Sequence, residues 1–377
     1  MQDRLKGAVD YHYGQFPPQN LRFDELLDPV SDAAAAISRY DQMLASMHNS
    51  EILLAPLRNQ EAVVSSRMEG TISTLDEVLR IEAEGAEADG DAFQHSRSEA
   101  VETFLYTRAL QRIQREIEAG RPLSEFLIRQ AHQILLSFGR GATKSPGRYK
   151  TEQNFIGARR STVSFVPISP EALPSGMEAL MAFIRDAPVN RLLKAAIAHV
   201  EFEALHPFKD GNGRIGRMLI TLMLWTSGLI RQPHFYVSSY FERNREDYID
   251  MMRQVSAENA WTEWCVFFLH GLRDQAERNI LVAGRIFDLY EGMKLRFRDE
   301  LKSEWAIEAL DFMFANPSFK NSKFTNHGRI PPHVAASMTR KLREAGILSQ
   351  IVPGSGRRPA IYGFEPLIAI IREESEE

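Results

Sequence analysis

One cysteine, Cys265, occurs in 377 residues. That scarcity excludes an internal disulfide and any multi-cysteine metal site, and it makes the reducing cytoplasm the expected location. Cys265 follows Trp264 and precedes Val266, Phe267, Phe268 and Leu269, an apolar helical stretch that reads as packing rather than as a nucleophile. Long apolar runs are equally scarce. The longest, 218–230, is interrupted by Thr and Ser and falls short of the roughly 20 residues a membrane helix requires. No apolar core follows the charged start Met1-Gln2-Asp3-Arg4-Leu5-Lys6, so neither a membrane span nor a secretion signal is expected. Internal repeats are absent, and the only biased segment is the acidic end at 373–377. What remains, 44% hydrophobic and 25% charged, is the composition of a soluble globular chain with length for two domains or one with appendages.

A formal net charge of −5 argues against wholesale coating of nucleic acid, yet the charge is unevenly placed. Between 317 and 362 stand eight Lys or Arg (320, 323, 329, 340, 341, 343, 357 and 358) against one acid, Glu344, a local net of +7 that leaves −12 on the rest.

Apolar residues recur at three- and four-residue steps over 31–48, 51–69, 73–84, 95–119 and 124–137, which predicts helices there. The pattern breaks at 147–170, where two β-prone runs flank Ala158-Arg159-Arg160 and predict a hairpin. Helices are expected again over 171–186, 190–205, 214–229, 243–257, 260–283 and 284–303. From about 303 the style changes to a helix ending near 315, a polar stretch, a helix over 332–345 and a hairpin about a Pro/Gly/Arg turn. That order, with its basic residues, resembles a winged helix-turn-helix domain, and DNA contact through 303–377 is one expectation it carries. The fold class expected is mainly α, divided at 1–95, 96–302 and 303–377.

The most informative run is His206-Pro207-Phe208-Lys209-Asp210-Gly211-Asn212-Gly213-Arg214-Ile215-Gly216-Arg217. A turn-forming Asp-Gly-Asn-Gly sequence leads directly into a helix start, so backbone N–H groups would point at an anion. Arg214 and Arg217, three apart, share one face of that helix, within reach of phosphate oxygens. A histidine beside such a site suits a general base. The run also contains the dinucleotide pattern G-x-G-x-x-G, but that fingerprint needs a strand immediately before it. Here Leu193, Ala196, Ile197, Val200 and Ala204 give a helical period leading in.

These residues fill every specified position of His-x-Phe-x-Asp/Glu-Gly-Asn-Gly-Arg-x-x-Arg, and the chain thereby resembles the Fic (filamentation induced by cAMP) family, which moves AMP from ATP onto protein hydroxyls. Upstream, Ser65, Glu69 and Gly70 match the family's inhibitory Ser/Thr-x-x-x-Glu-Gly/Asn motif. The resemblance implies a helical Fic core with a β-hairpin flap and a set of roles. His206 would deprotonate a Ser, Thr or Tyr hydroxyl of a target protein, Asp210 would hold Mg²⁺, and Gly211, Asn212, Gly213, Arg214, Ile215, Gly216 and Arg217 would bind the phosphates of ATP. Tyr248 lies where relatives place an aromatic residue against adenine, although Ile249 stands where a second tyrosine is common. The flap, with Thr162, Val163, Ser164 and Phe165, would dock the target's backbone. Glu69 would pair with Arg217 and hold the enzyme in check. The same resemblance leaves open removal of AMP, transfer of another phosphate-bearing group, self-modification and a homodimer. A reading of a different class is a nucleotide-sensing regulator that acts on DNA through 303–377.

Overall fold

The computed structural model describes residues 5, 7–47, 50–84, 96–157, 163–354 and 359–376. They are mainly helical, with five short strands among the described residues. The chain divides into two compact units, 1–41 with 108–277 and 42–107 with 278–377. The expected boundaries at 95/96 and 302/303 do not coincide with this division, whose points fall inside the helices Phe23–Ser46, Ser98–Glu118 and Trp261–Leu301.

The first unit is organised about two helices, Arg191–Leu205 and Asn212–Thr226, which pack on one another, the former also against Leu173–Asp186. All residues from 195 to 202 are buried, and so are all from 212 to 224. A helix buried on every side belongs to a core rather than to a surface. Side chains such as Ile197, Phe202, Ile215, Ile220 and Leu224 each contribute roughly 1.5–3 kcal/mol there. The loop joining these helices, 206–211, is thus anchored at both ends in the best-packed part of the unit. Trp264 braces it further, donating from Nε1 to Ala196 O at 2.8 Å. Cys265 is fully buried and its thiol pKa is pushed up by desolvation, in keeping with packing.

Several elements differ from the sequence expectations, each for a physical reason. Phe23–Ser46 begins eight residues before the expected 31 and runs through Pro29, a residue that normally stops or kinks a helix. Trp261–Leu301 is one helix of 41 residues rather than two. Gly284 does not break it: a Cβ there would meet Met43 Cε at an ordinary 3.5 Å. The expected hairpin is reduced to an antiparallel bridge between Ile156 and Phe165. Its second strand, β2 (Phe165–Val166), instead pairs in parallel with β1 (Val9–Asp10), in the register Val9 to Phe165 and Asp10 to Val166.

In the second unit, Ser50–Met68 packs against Ala306–Ala315 and Glu365–Glu376, and Leu75–Ala83 packs against β3 (Ser318–Lys320). Leu75–Ala83 starts with a reciprocal capping box between Thr74 and Glu77. After Ala306–Ala315 the order is β3, Asn321–Thr325, Pro332–Glu344, β4 (Ser349–Val352) and β5 (Ile361–Gly363), and the strands form an antiparallel sheet in the order β3-β5-β4. Phe312, Phe319 and Phe324 pack together beneath it. Acidic residues 373–376 form the last turn of Glu365–Glu376, which buries Leu367, Ile368 and Ile371. Among the described residues no helix is long and apolar enough to cross a membrane.

Candidate functional site

Arg191–Leu205 ends on His206, which adopts the left-handed conformation, φ 45° and ψ 60°, and closes the helix by donating its N–H to Phe202 O at 3.0 Å. A non-glycine residue there costs about 1–2 kcal/mol, so the neighbours must hold it. The His206 Nδ1 sits 3.4 Å from Glu203 O, an orientation in which Nδ1–H donates to that carbonyl.

Three sets of contacts fix the turn that follows. Phe208 is fully buried and stacks on His132, with ring centroids 3.7 Å apart and planes 7° apart. Asn212 grips the backbone of Phe208 twice, accepting from its N–H and donating to its carbonyl, both at 2.8 Å. Gly147 donates its N–H to His132 Nδ1 at 2.9 Å, so His132 carries its proton on Nε2 and donates it to Asp210 O, also at 2.9 Å. Burial pushes the His132 pKa down to about 4, the neutral form this arrangement requires.

Gly211, at φ 80°, then turns the chain into Asn212–Thr226, the left-handed corner that glycine takes without strain. The first intrahelical bond runs from Ile215 N–H to Gly211 O, so the N–H groups of the opening turn have no carbonyl one turn back. With the Asn212 side chain committed to Phe208, the anion-facing groups of Gly211, Asn212 and Gly213 are backbone amides. Arg214 is 3% exposed and Arg217 2%; Arg214 Nη2 stands 3.4 Å from Asp210 Oδ1, and the Asp210 side chain is 40% exposed.

Gly216 and Tyr248 are both closely packed. A Cβ on Gly216 would lie 2.2 Å from Glu203 Oε1 and 3.3 Å from His199 Cε1, so this glycine lets the two central helices approach. Tyr248 is 3% exposed, stacks on Phe241 at 4.5 Å and donates its hydroxyl to His199 Nε2 at 2.8 Å. His199 Nδ1 donates in turn to Gly216 O at 3.2 Å. Desolvation, followed by the Arg217 charge, brings the His199 pKa down to about 3. Tyr248 is thus packed in an aromatic core with His199, Phe241 and Trp264. Ile215 is likewise buried, at 2% exposure.

The flap also departs from expectation. Thr162 lies outside the described residues and Val163 is half-buried. Ser164 and Phe165 both donate their N–H to Ile156 O, at 2.7 and 3.0 Å, while Ser164 O accepts from Val9 and Phe165 O from Ile156. The backbone N–H and carbonyl groups of Ser164 and Phe165 are thus paired within this unit.

Sequence reasoning missed the groups behind this arrangement. Tyr11 donates to Glu201 Oε1 at 2.7 Å, and the fully buried His12 reaches Glu201 Oε2 and Ser256 Oγ, each at 2.7 Å. This strap ties β1 to the helix that carries His206. Lys150 and Asn154, at the foot of the flap, bond the carbonyls of residues 205–208. None of them belongs to a contiguous motif, so no local signal marks them.

Ser65, Glu69 and Gly70 lie in the second unit. Ser65 is fully buried and Glu69 exposed. Ser50–Met68 closes with Gly70 N–H bonded to Arg67 O at 2.9 Å and Thr71 N–H to Ser66 O at 3.0 Å, with Gly70 at φ 79°. This is a Schellman cap, in which Glu69 is the cap residue and Gly70 the left-handed residue after it. The motif's tolerance of Gly or Asn at that position follows from the left-handed backbone.

A histidine loop between two buried helices, on a mainly helical scaffold with a strand-paired flap, defines a Fic-type fold. The structure aligns with a Fic family protein from Desulfovibrio desulfuricans at a TM-score of 0.57 and 22% identity, covering 92% of this chain and 98% of that one. It aligns with Fic-1 from Caenorhabditis elegans at 0.53 and 18%, covering 68% and 74%. Residues 122–224 match the Fic/DOC family and residues 27–113 match Fic/DOC family N-terminal, and the chain belongs to the Fic/DOC family. Among curated relatives, a probable protein adenylyltransferase of Aquifex aeolicus is 27% identical over 205 residues, 54% of this chain and 57% of the relative. The protein adenylyltransferase fic-1 of C. elegans is 34% identical over 85 residues, 22% of this chain and 16% of the relative. The chain thus matches little more than half of the first relative's length and about a sixth of the second's.

Proposed function

We propose that this protein transfers AMP from ATP to a Ser, Thr or Tyr hydroxyl of a protein, itself included. The observation that carries the reading is the placement of His206 at the end of one buried helix and, six residues on, the start of another whose amides and arginines suit a polyphosphate. His206 takes the proton of the target hydroxyl, whose oxygen forms a bond to the α-phosphorus. The bond from that phosphorus to the bridging oxygen breaks and pyrophosphate leaves with the electron pair. The amides of Gly211, Asn212 and Gly213 and the guanidinium groups of Arg214 and Arg217 stabilise the charge on the β- and γ-phosphates.

Asp210 supports a place for Mg²⁺, because its half-open carboxylate offers one hard oxygen. Among the described residues no cluster of three or more His, Cys, Asp or Glu exists, and a magnesium ion held by one carboxylate plus phosphate oxygens needs none. When bound, the ion would neutralise phosphate charge.

Glu69 is the brake in this reading. It stands exposed as the cap residue at the C-terminus of Ser50–Met68, where the helix dipole by itself disfavours a carboxylate by about 0.3–1 kcal/mol. The order helix, strand, helix, helix, strand, strand in 306–363, with sheet order β3-β5-β4, supports a winged-helix domain. We assign it to docking of proteins rather than of DNA, because its described cations are engaged within the second unit.

Incorporation of label from α-³²P-ATP with Mg²⁺ by wild type, Glu69→Gly and Glu69→Gly/His206→Ala tests the reading. Strong labelling by the single variant, lost in the double, is the expected result. No labelling by folded Glu69→Gly, with other nucleotides also tried, would sink AMP transfer and favour the removal reaction.

A further inference from the structure

Four consecutive carbonyl oxygens, those of Leu205, His206, Pro207 and Phe208, are all bonded by two residues some fifty positions upstream. Lys150 Nζ donates to Leu205 O at 3.1 Å and the Lys150 N–H to Pro207 O at 2.8 Å. Asn154 Nδ2 donates to His206 O at 3.2 Å and to Phe208 O at 3.1 Å. Lys150 Nζ also donates to Asn154 Oδ1 at 2.8 Å, which turns the amide so that its NH₂ faces the loop. The carbonyls at the end of Arg191–Leu205 have no intrahelical partner, and this pair supplies one where the helix stops and the backbone turns left-handed.

The arrangement is costly to keep. Lys150 is 3% exposed, and among the described residues no carboxylate pairs with it. Desolvation brings its pKa down to about 7, as expected of an amine surrounded by neutral acceptors. A buried cation without a counter-charge is retained where something other than packing requires it. The segment is also the first arm of the flap, since Ile156 two residues on bridges to Phe165.

We propose that Lys150 and Asn154 are positioning residues: they hold the four carbonyls that set the backbone of His206, and so register the catalytic imidazole against the flap. This rests on the AMP-transfer reading for its effect on rate, but the geometric part stands apart from it. A shift of about 1 Å at a reacting group costs on the order of 100-fold in rate. Loss of the clamp therefore lowers kcat while nucleotide binding, which depends on the amides and arginines beyond Gly211, persists.

The experiment uses full-length Glu69→Gly protein as parent and adds Lys150→Met, Lys150→Arg or Asn154→Ala. Self-labelling with α-³²P-ATP gives kcat and the KM for ATP, calorimetry gives the Kd for ATP, and hydrogen exchange reports the amides over 205–210. Expected for Lys150→Met and Asn154→Ala are a fall in kcat of about 100-fold, an ATP Kd within about 3-fold of parent, and exchange over 205–210 faster by about 10-fold. Lys150→Arg, which keeps the donors, recovers most of kcat. Unchanged exchange and kcat would overturn the proposal, as would a loss of ATP binding equal to the loss of rate, which marks general loosening. If the parent itself labels nothing, the AMP-transfer reading fails, and the exchange data still decide whether the clamp exists.

Discussion

Positive charge marks two regions of this chain, and they use it in opposite ways. In the 206–217 run two arginines are nearly inaccessible at the start of a buried helix, where taking a guanidinium out of water is expensive. In 317–362 the charge is larger, but its described members are engaged nearby. Lys320 donates to Glu84 O, Lys323 to Asn316 Oδ1 and Lys341 to Leu301 O. Arg329 pairs with Glu308, Arg340 with Glu344, and Arg343 bonds Gln350 while lying 5.3 Å over the ring of Tyr362. A count of basic residues therefore says little about what a segment binds; burial and local partners decide it.

Removing the base gives the largest expected contrast. In the Glu69→Gly background, His206→Ala should lower AMP transfer by about 1000-fold and leave the calorimetric Kd for ATP unchanged. A parallel loss of ATP binding would make His206 a structural plug rather than a base. Arg217→Ala comes next and addresses burial directly. Loss of a buried cation should weaken ATP binding by about 2–3 kcal/mol, some 30- to 150-fold in Kd. An effect below about 3-fold would remove the loop's distinction from the C-terminal cations.

Lys150 sharpens the same point through pH. Its pKa is about 7 in the folded protein against 10.5 for the free side chain, so between these values the unfolded chain binds the extra proton. Stability from this residue thus rises with pH across that window, is complete above 10.5 and is least below 7. Urea unfolding of wild type and Lys150→Met at pH 7, 8 and 9 should diverge by up to about 1.4 kcal/mol per pH unit in favour of wild type as pH rises. Parallel curves would mean that the amine stays hydrated.

The contrast between motif and support also sets what was legible in the sequence. Residues 206–217 are contiguous, and their turn chemistry and helix start could be read without knowing the fold. Lys150 sits in a polar stretch of Thr, Glu and Gln that predicts only a strand, and its four-carbonyl clamp is a product of tertiary structure. Tyr11 and His12 follow a two-residue strand, too short for any alternation to register. Burial of the Tyr248 ring depends on Phe241, His199 and Trp264, which only folding brings together. In the second unit the helix and hairpin order was legible, whereas Ser318–Lys320 was missed because three residues give no period.

The smallest expected effect comes from the C-terminal cations, and it is the one best able to break the comparison. A protein that neutralises Z phosphates of duplex DNA shows a log-log salt slope of about −0.9Z. If the six described cations of 317–362 are held by their neighbours as the structure has them, binding to a random-sequence duplex should be weak at about 0.15 M salt, with a slope shallower than about −3. Arg340→Ala removes one exposed i,i+4 pair and should change stability by no more than about 0.5 kcal/mol. Arg357 and Arg358 lie outside the described residues, so the double variant Arg357→Ala/Arg358→Ala is measured beside it. A slope near −6 that Arg340→Ala makes less steep by about one unit would mean that these ion pairs open for phosphate. The second unit would then be a nucleic-acid surface after all, and the regulator reading would replace protein docking as its function.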